Sequence, residues 1–353
     1  VPGKAGVRGV AGMIPSPELR ATGVGALPHR DPDAACRAVL AIFPEIPFIP
    51  TLPNRGLLES IVFADSEHLP GGVVREGRLT VDRGTDPSEA MEQILLDYLE
   101  GNAEPYRVGE AYGSGFHAMM GRDLSGPLLV KCQVTGPVTF GMQVVDETRR
   151  PILYDPEYAD LLGKLLALRA RWCEEAMRER MGARATLVVL SEPYLASLGS
   201  GVVPVDPGVA ASAFGDIADL LEGGLGIHCC ANTDWGFVLG LAPAVVSIDA
   251  WTYAREFLLY ADDVARYMET GGVVAWGVVP ADYAVFAAET SDSLFARFRD
   301  IRAKATETID PDLFDRQSLI TPTCGIRNAG EQEAAAIMEA TALLSRRLRG
   351  EEP

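Results

Sequence analysis

The amino-acid sequence predicts an α/β protein folded as a (β/α)8 TIM barrel. Eight short apolar runs recur along the 353 residues, each ending in Gly, Pro or a polar residue. Stretches with helical spacing follow most of them, which is the pattern of repeated βα units. No Gly-rich dinucleotide fingerprint follows any run, which weighs against the competing open, doubly wound sheet. Runs that are apolar on both faces suit parallel strands covered by helices.

In chain order, residues 1–19 hold Pro2, Pro15, Pro17 and four glycines and read as an N-terminal arm on the surface. Residues 20–350 read as the barrel domain. Its first two strands are expected at 21–27 and 47–52, with a helix at 31–43 between them. A barrel needs about 250 residues, so on the order of 100 remain for decoration. Most of the surplus lies in an insertion at about 54–126. Its turn-rich pieces Pro70-Gly71-Gly72 and Gly113-Ser114-Gly115, and a helix at 87–100, suggest a cover over one barrel face. The remaining strands are expected at 128–134, 185–190, 225–229, 244–249, 272–276 and 317–321. Helices are expected at 156–181, 206–222, 235–241, 254–269, 291–309 and 328–348. Pro156 and Pro207 each follow an Asp, an N-cap with proline in the first turn.

The chain carries 31 Lys and Arg against 49 Asp and Glu, a net charge of −18, which argues against a partner that is nucleic acid or an anionic membrane. Six cysteines are too few for a disulfide scaffold, and no signal-peptide pattern opens the sequence. Reduced thiols and a cytoplasmic location are the expectation. No apolar run reaches the roughly 18 residues of a spanning helix; 273–280 is interrupted by Trp276 and Gly277.

In a parallel barrel the active site forms where strands end. Those ends are polar or thiol-bearing here: Pro28-His29, Thr135-Gly136, Ser191-Glu192-Pro193, His228-Cys229-Cys230, Asp249-Ala250-Trp251, Trp276 and Thr323-Cys324. His228 and Cys230 are one residue apart, so an extended backbone points both the same way and Cys229 the other. Cys324, ending the last strand, approaches the barrel centre from another side. Imidazole and thiolates suit Zn2+, with Asp249 or water as the fourth ligand. The plainer alternative is a Cys229-Cys230 pair acting as small hydrophobes beside a satisfied histidine. Two thiolates lower the metal's Lewis acidity, so alkyl transfer to a metal-held thiol fits better than hydrolysis by activated water.

Six motifs appear together in this order: Gly23-Val24-Gly25-Ala26-Leu27-Pro28-His29, Val134-Thr135-Gly136-Pro137-Val138-Thr139, Glu192-Pro193, His228-x-Cys230, Ser247-Ile248-Asp249 and Thr321-Pro322-Thr323-Cys324-Gly325. From about Thr22 to Leu344 the chain resembles the catalytic half of cobalamin-independent methionine synthase, as a single-barrel form within the superfamily that includes uroporphyrinogen decarboxylase. The resemblance implies that His228, Cys230 and Cys324 bind catalytic zinc and that the thiol of homocysteine joins it. The family's fourth ligand is a glutamate near strand six, where this chain has Asp249. The family's Asp-Glu-Pro is Ser191-Glu192-Pro193 here, and its usual Ser in the first motif is Ala26; both positions are substrate contacts in the family. Glu192 is then expected to contact substrate or relay a proton, a role Asp249 could share.

The implied methyl donor is a methylcorrinoid, often carried on a corrinoid protein, or methyltetrahydrofolate. A charge of −18 suits an unaided polyglutamate donor poorly. The altered Ser191 keeps open another small thiol of the coenzyme M kind, and a non-catalytic metal-binding barrel is the alternative of another class. Trp251 and Trp276 could stack on a flat ligand, and Thr135 and His29 end strands where a ligand would sit. His68 and His117 fall in the insertion and are expected at the surface or in a lid. Cys36, Cys132 and Cys173 are expected in the core.

Overall fold

Six strands lie side by side in sequence order, all parallel, and their βα repeat builds the molecule. The computed structural model describes residues 13–82, 84, 86–198 and 204–351. The arm expected at 1–19 therefore falls largely outside the described residues. A hairpin of β1 (Gly72–Arg75) and β2 (Arg78–Val81) comes first, and β2 pairs with the short β4 (Val145–Asp146). The main sheet is β3 (Val130–Thr135), β5 (Thr186–Ser191), β6 (Gly224–Cys229), β7 (Val245–Ile248), β8 (Val273–Val279) and β9 (Ser318–Pro322).

Residues 21–27 and 47–52, expected as two full strands, make only single parallel bridges. Ala21 bridges Ile320 of β9, Phe48 bridges Lys131 of β3, and Ala26 bridges Thr51. The local chemistry accounts for the shortfall. Pro47 and Pro50 have no N–H to give to a ladder. Gly23 is needed because a Cβ there would lie 2.2 Å from the Phe48 ring. The carbonyls of Gly23 and Val24 accept from Lys131 Nζ instead, at 2.6 and 2.7 Å.

Helices cover the outer face. Pro32–Ile42, Pro156–Glu175 and Pro207–Leu220 each begin with an Asp side chain accepting a backbone N–H and a proline in the first turn, which the sequence predicts for the second and third. The helix expected at 254–269 begins earlier, at Ala250, because Asp249 caps it; it breaks at 258–260 and resumes as Ala261–Glu269. Ser291–Ala305 and Glu331–Leu348 complete the layer.

The strands alternate between two apolar environments. Leu187, Val189, Val245, Val273, Ala275 and Leu319 pack together on the inner face. Val188, Leu190, Ile227, Cys229, Val246, Ile248, Val274, Trp276 and Ile320 face the helices.

The insertion is tied down by Arg169, which is 2% exposed on the helix Pro156–Glu175. Its guanidinium donates to the carbonyls of Tyr106 at 3.1 Å and Ala64 at 3.2 Å and pairs with Asp65 and Glu67 at 3.7 and 3.4 Å. The helix Ser114–Met120 rests on the second segment, and Gly115 permits the approach: a Cβ there would sit 2.0 Å from the Pro50 carbonyl oxygen. No helix among the described residues is long and apolar enough to cross a membrane.

Candidate functional site

The carboxyl ends of the strands and the insertion enclose a cavity of about 370 Å³. Its walls come from the first two segments (Val24, Ala26, Ile49, Thr51), from β3 and β5 (Gln133, Thr135, Ser191), and from His228, Cys230, Cys324 and Gly325. The insertion closes the top with Glu59, Asp65, Val108, Tyr112 and Phe116. The cover thus sets apolar side chains and two carboxylates opposite the sulfur-bearing side.

His228, Cys230 and Cys324 each offer a ligand atom, and the three atoms lie within 4.8 Å of one another. Strand parity accounts for the pairing: β6 turns Gly226 and His228 inward and Ile227 and Cys229 outward. Cys229 is fully buried in the helix-facing layer, and its thiol donates to the Ala231 carbonyl at 3.4 Å. His228 Nδ1 lies 2.9 Å from Ser247 Oγ, which fixes the ring and leaves Nε2 toward the thiols. That Nε2 is buried with no hydrogen-bond partner among the described residues. The Cys324 thiol is pushed down by a hydrogen bond from Cys230 and by the nearby His228, and Cys230 is pushed up by the same bond. An orphaned imidazole nitrogen facing two sulfurs that share a proton fits a soft divalent ion.

Asp249 stands outside this triangle. Its carboxylate caps the helix Ala250–Phe257 by accepting from Thr252 N at 2.9 Å. Burial raises its proton affinity, which the Thr252 bonds partly offset.

Glu192 is fully buried and does not line the cavity. It accepts from Val138 N at 2.9 Å, Thr139 N at 2.8 Å and Thr139 Oγ1 at 2.6 Å, closing the start of the helix Pro137–Gln143. Burial pushes it up to about 7 against these three donors. Gly136 makes room for it, since a Cβ there would lie 2.2 Å from Glu192 Oε1.

Among the other expected contacts, Ala26, Thr135 and Ser191 line the cavity. Thr135 also ties the insertion to β3, its N–H donating to Asp65 Oδ2 at 2.7 Å and its hydroxyl accepting from Val62 N at 3.1 Å. The two tryptophans and His29 lie off the cavity wall. Trp276 faces the helices, packed on Phe257 and Phe314, with Nε1 donating to Ser318 Oγ at 2.9 Å. Trp251 carries the Arg297 guanidinium 3.5 Å over its ring. His29 is buried, with Nδ1 unpartnered among the described residues. In the insertion, His68 packs edge-on to Tyr106 and His117 Nε2 lies 2.7 Å from the Val108 carbonyl. Cys36, Cys132 and Cys173 are buried as expected, though Cys132 and Cys173 also touch the cavity.

Glu59, Asp65, Gln133 and Arg327 line the cavity without having been expected there. Gln133 had a readable signal, because alternation on β3 sets it on the face of Thr135. Glu59 and Asp65 end single 3-10 turns and Arg327 lies in a turn, none of them in a motif.

No protein-family model matches the chain, and no curated protein matches it in sequence. Solved structures do. A B12-independent methionine synthase from Shewanella sp. W3-18-1, in complex with selenomethionine, aligns over 94% of this chain and 98% of its own at TM-score 0.53 and 14% identity. A putative vitamin-B12 independent methionine synthase from Listeria monocytogenes aligns over 95% of this chain and 98% of its own at TM-score 0.56 and 14% identity. The chain shares their fold. The resemblance read from the sequence motifs and the likeness of the backbones therefore point to the same group of structures, across nearly the whole chain.

Proposed function

We propose that this protein is a zinc-dependent methyltransferase that moves a methyl group onto the sulfur of a small thiol. The observation that carries the proposal is the His228, Cys230 and Cys324 group opening onto a cavity of about 370 Å³. Full-length likeness to structures named as methionine synthases, one holding selenomethionine, supports homocysteine as the first acceptor to test. A closed eight-stranded (β/α)8 barrel is part of the reading, with 21–27 and 47–52 linking β9 to β3 through their bridges. So is one catalytic domain over 20–350, with 54–126 as its lid.

His228, Cys230 and Cys324 would hold the zinc, which when bound supplies positive charge that keeps an acceptor thiol ionised at neutral pH. Ser247 orients the imidazole so that Nε2 faces the sulfurs. Asp249 Oδ1 is occupied as a helix cap, so we assign it to positioning the strand end beside the metal group rather than to ligation. Glu192 likewise acts through the backbone, fixing the turn that presents Thr135. Val108, Tyr112 and Phe116 keep water from the reacting sulfur. The donor is a methylcorrinoid, free or on a corrinoid protein, or methyltetrahydrofolate.

Ser191 favours a second reading, a small thiol other than homocysteine such as coenzyme M, because no free carboxylate stands at that point of the wall. The test is turnover: zinc-loaded protein is mixed with homocysteine or coenzyme M and each donor, and methylated thiol is measured. Product with either thiol supports the reading. A protein that keeps its zinc and methylates neither acceptor is the non-catalytic metal-binding barrel instead.

A further inference from the structure

Besides the metal-facing group and two core thiols, the ionisable side chains on the cavity wall are Glu59, Asp65, Tyr112 and Arg327. Both carboxylates are engaged. Glu59 accepts from Ser114 Oγ on each oxygen at 2.8 Å and from Arg55 Nε at 2.8 Å. Asp65 accepts from Thr135 N and pairs with Arg169. Arg327, exposed at the mouth, has no ion-pair partner among the described residues.

Deeper in, the wall is polar and uncharged. Gln133 Nε2 donates to Ser191 Oγ at 3.1 Å, and Gln133 Oε1 is buried with no partner among the described residues. The pair adjoins the metal group, since Ser191 is in register with His228 on the neighbouring strand. Gly25 leaves the space that Gln133 fills, for a Cβ there would lie 2.5 Å from its Cγ.

A ligand that completes this wall brings a thiol to the metal group, an N–H to Gln133 Oε1 and an anion to Arg327. An ammonium at Gln133 would be buried without a counter-charge, whereas a neutral amide N–H satisfies the orphaned oxygen at no such cost. We infer that Gln133 sets the acceptor class: a thiol with an anionic group and a neutral N–H, an N-acylated aminothiol, is taken in preference to its free-ammonium form. The inference rests on the thiol-acceptor reading above.

Calorimetric titration of the zinc-loaded protein with N-acetylhomocysteine, homocysteine and mercaptobutanoate tests it. N-acetylhomocysteine should bind at least about tenfold more tightly than either of the others. Gln133→Glu should reverse the order in favour of homocysteine, and Ser191→Asp, which sets a carboxylate at the same point, should do so if the first variant does not fold. Arg327→Ala should weaken all three thiols. Equal or tighter binding of homocysteine by the wild type, or an order unmoved by both carboxylate variants, overturns the inference and leaves the thiol reading standing. Zinc retention with no thiol bound overturns both.

Discussion

Ser247 Oγ on β7 sits 2.9 Å from His228 Nδ1 on β6, and the two residues are register partners in the sheet. One hydroxyl thus decides which imidazole nitrogen meets Cys230 and Cys324. A metal-binding histidine generally depends on such a partner for its tautomer and orientation.

Ser247→Ala should therefore weaken zinc affinity by about 10- to 100-fold while leaving the fold intact. Competition with a chromophoric chelator reads the change. An affinity equal to the wild type would mean that Ser247 does not orient the ligand.

Lys131 gives a pH prediction independent of the metal. It is buried against two carbonyls, with no carboxylate partner among the described residues, and burial depresses its ammonium from 10.5 to about 7. Between those values the unfolded chain binds a proton that the folded chain has released. Stability linked to Lys131 therefore rises with pH across that window. In Lys131→Met that part of the rise should vanish, which urea unfolding midpoints at about pH 7 and pH 9 will show. Parallel profiles for the two proteins would contradict the assignment.

Gly136 is the position where the Glu192 cap is most open to attack. Gly136→Ala puts a methyl into the carboxylate and should cost about 1–3 kcal/mol by overpacking. Urea denaturation measures it, and a loss under about 0.5 kcal/mol would show that Glu192 can move aside.

Much of this was legible because strand alternation is strict. The His228-x-Cys230 spacing on β6 announces two side chains on one face, and the structure has them there with Cys324 beside them. The same rule read along β8 sets Trp276 on the face of Val274, among the helices; its place at the end of an apolar run drew attention to the wrong side. Asp249 and Glu192 are expected at the site because both are acids at strand ends, and a helix-capping acid and a reacting acid are the same residue type. What no sequence pattern shows is the direction of their oxygens, toward Thr252 N and toward Val138 and Thr139. Arg327 and the insertion carboxylates were unreadable for another reason: a turn or a single 3-10 turn is too short to show a period that fixes where its side chains point.

The most direct test of the account is the zinc content of the protein purified under reducing conditions, beside Cys324→Ser. The account predicts about one zinc per chain in the wild type and loss of the ion in the variant, since serine oxygen replaces thiolate poorly. Less than about 0.2 zinc per wild-type chain, with none taken up on addition, would contradict it.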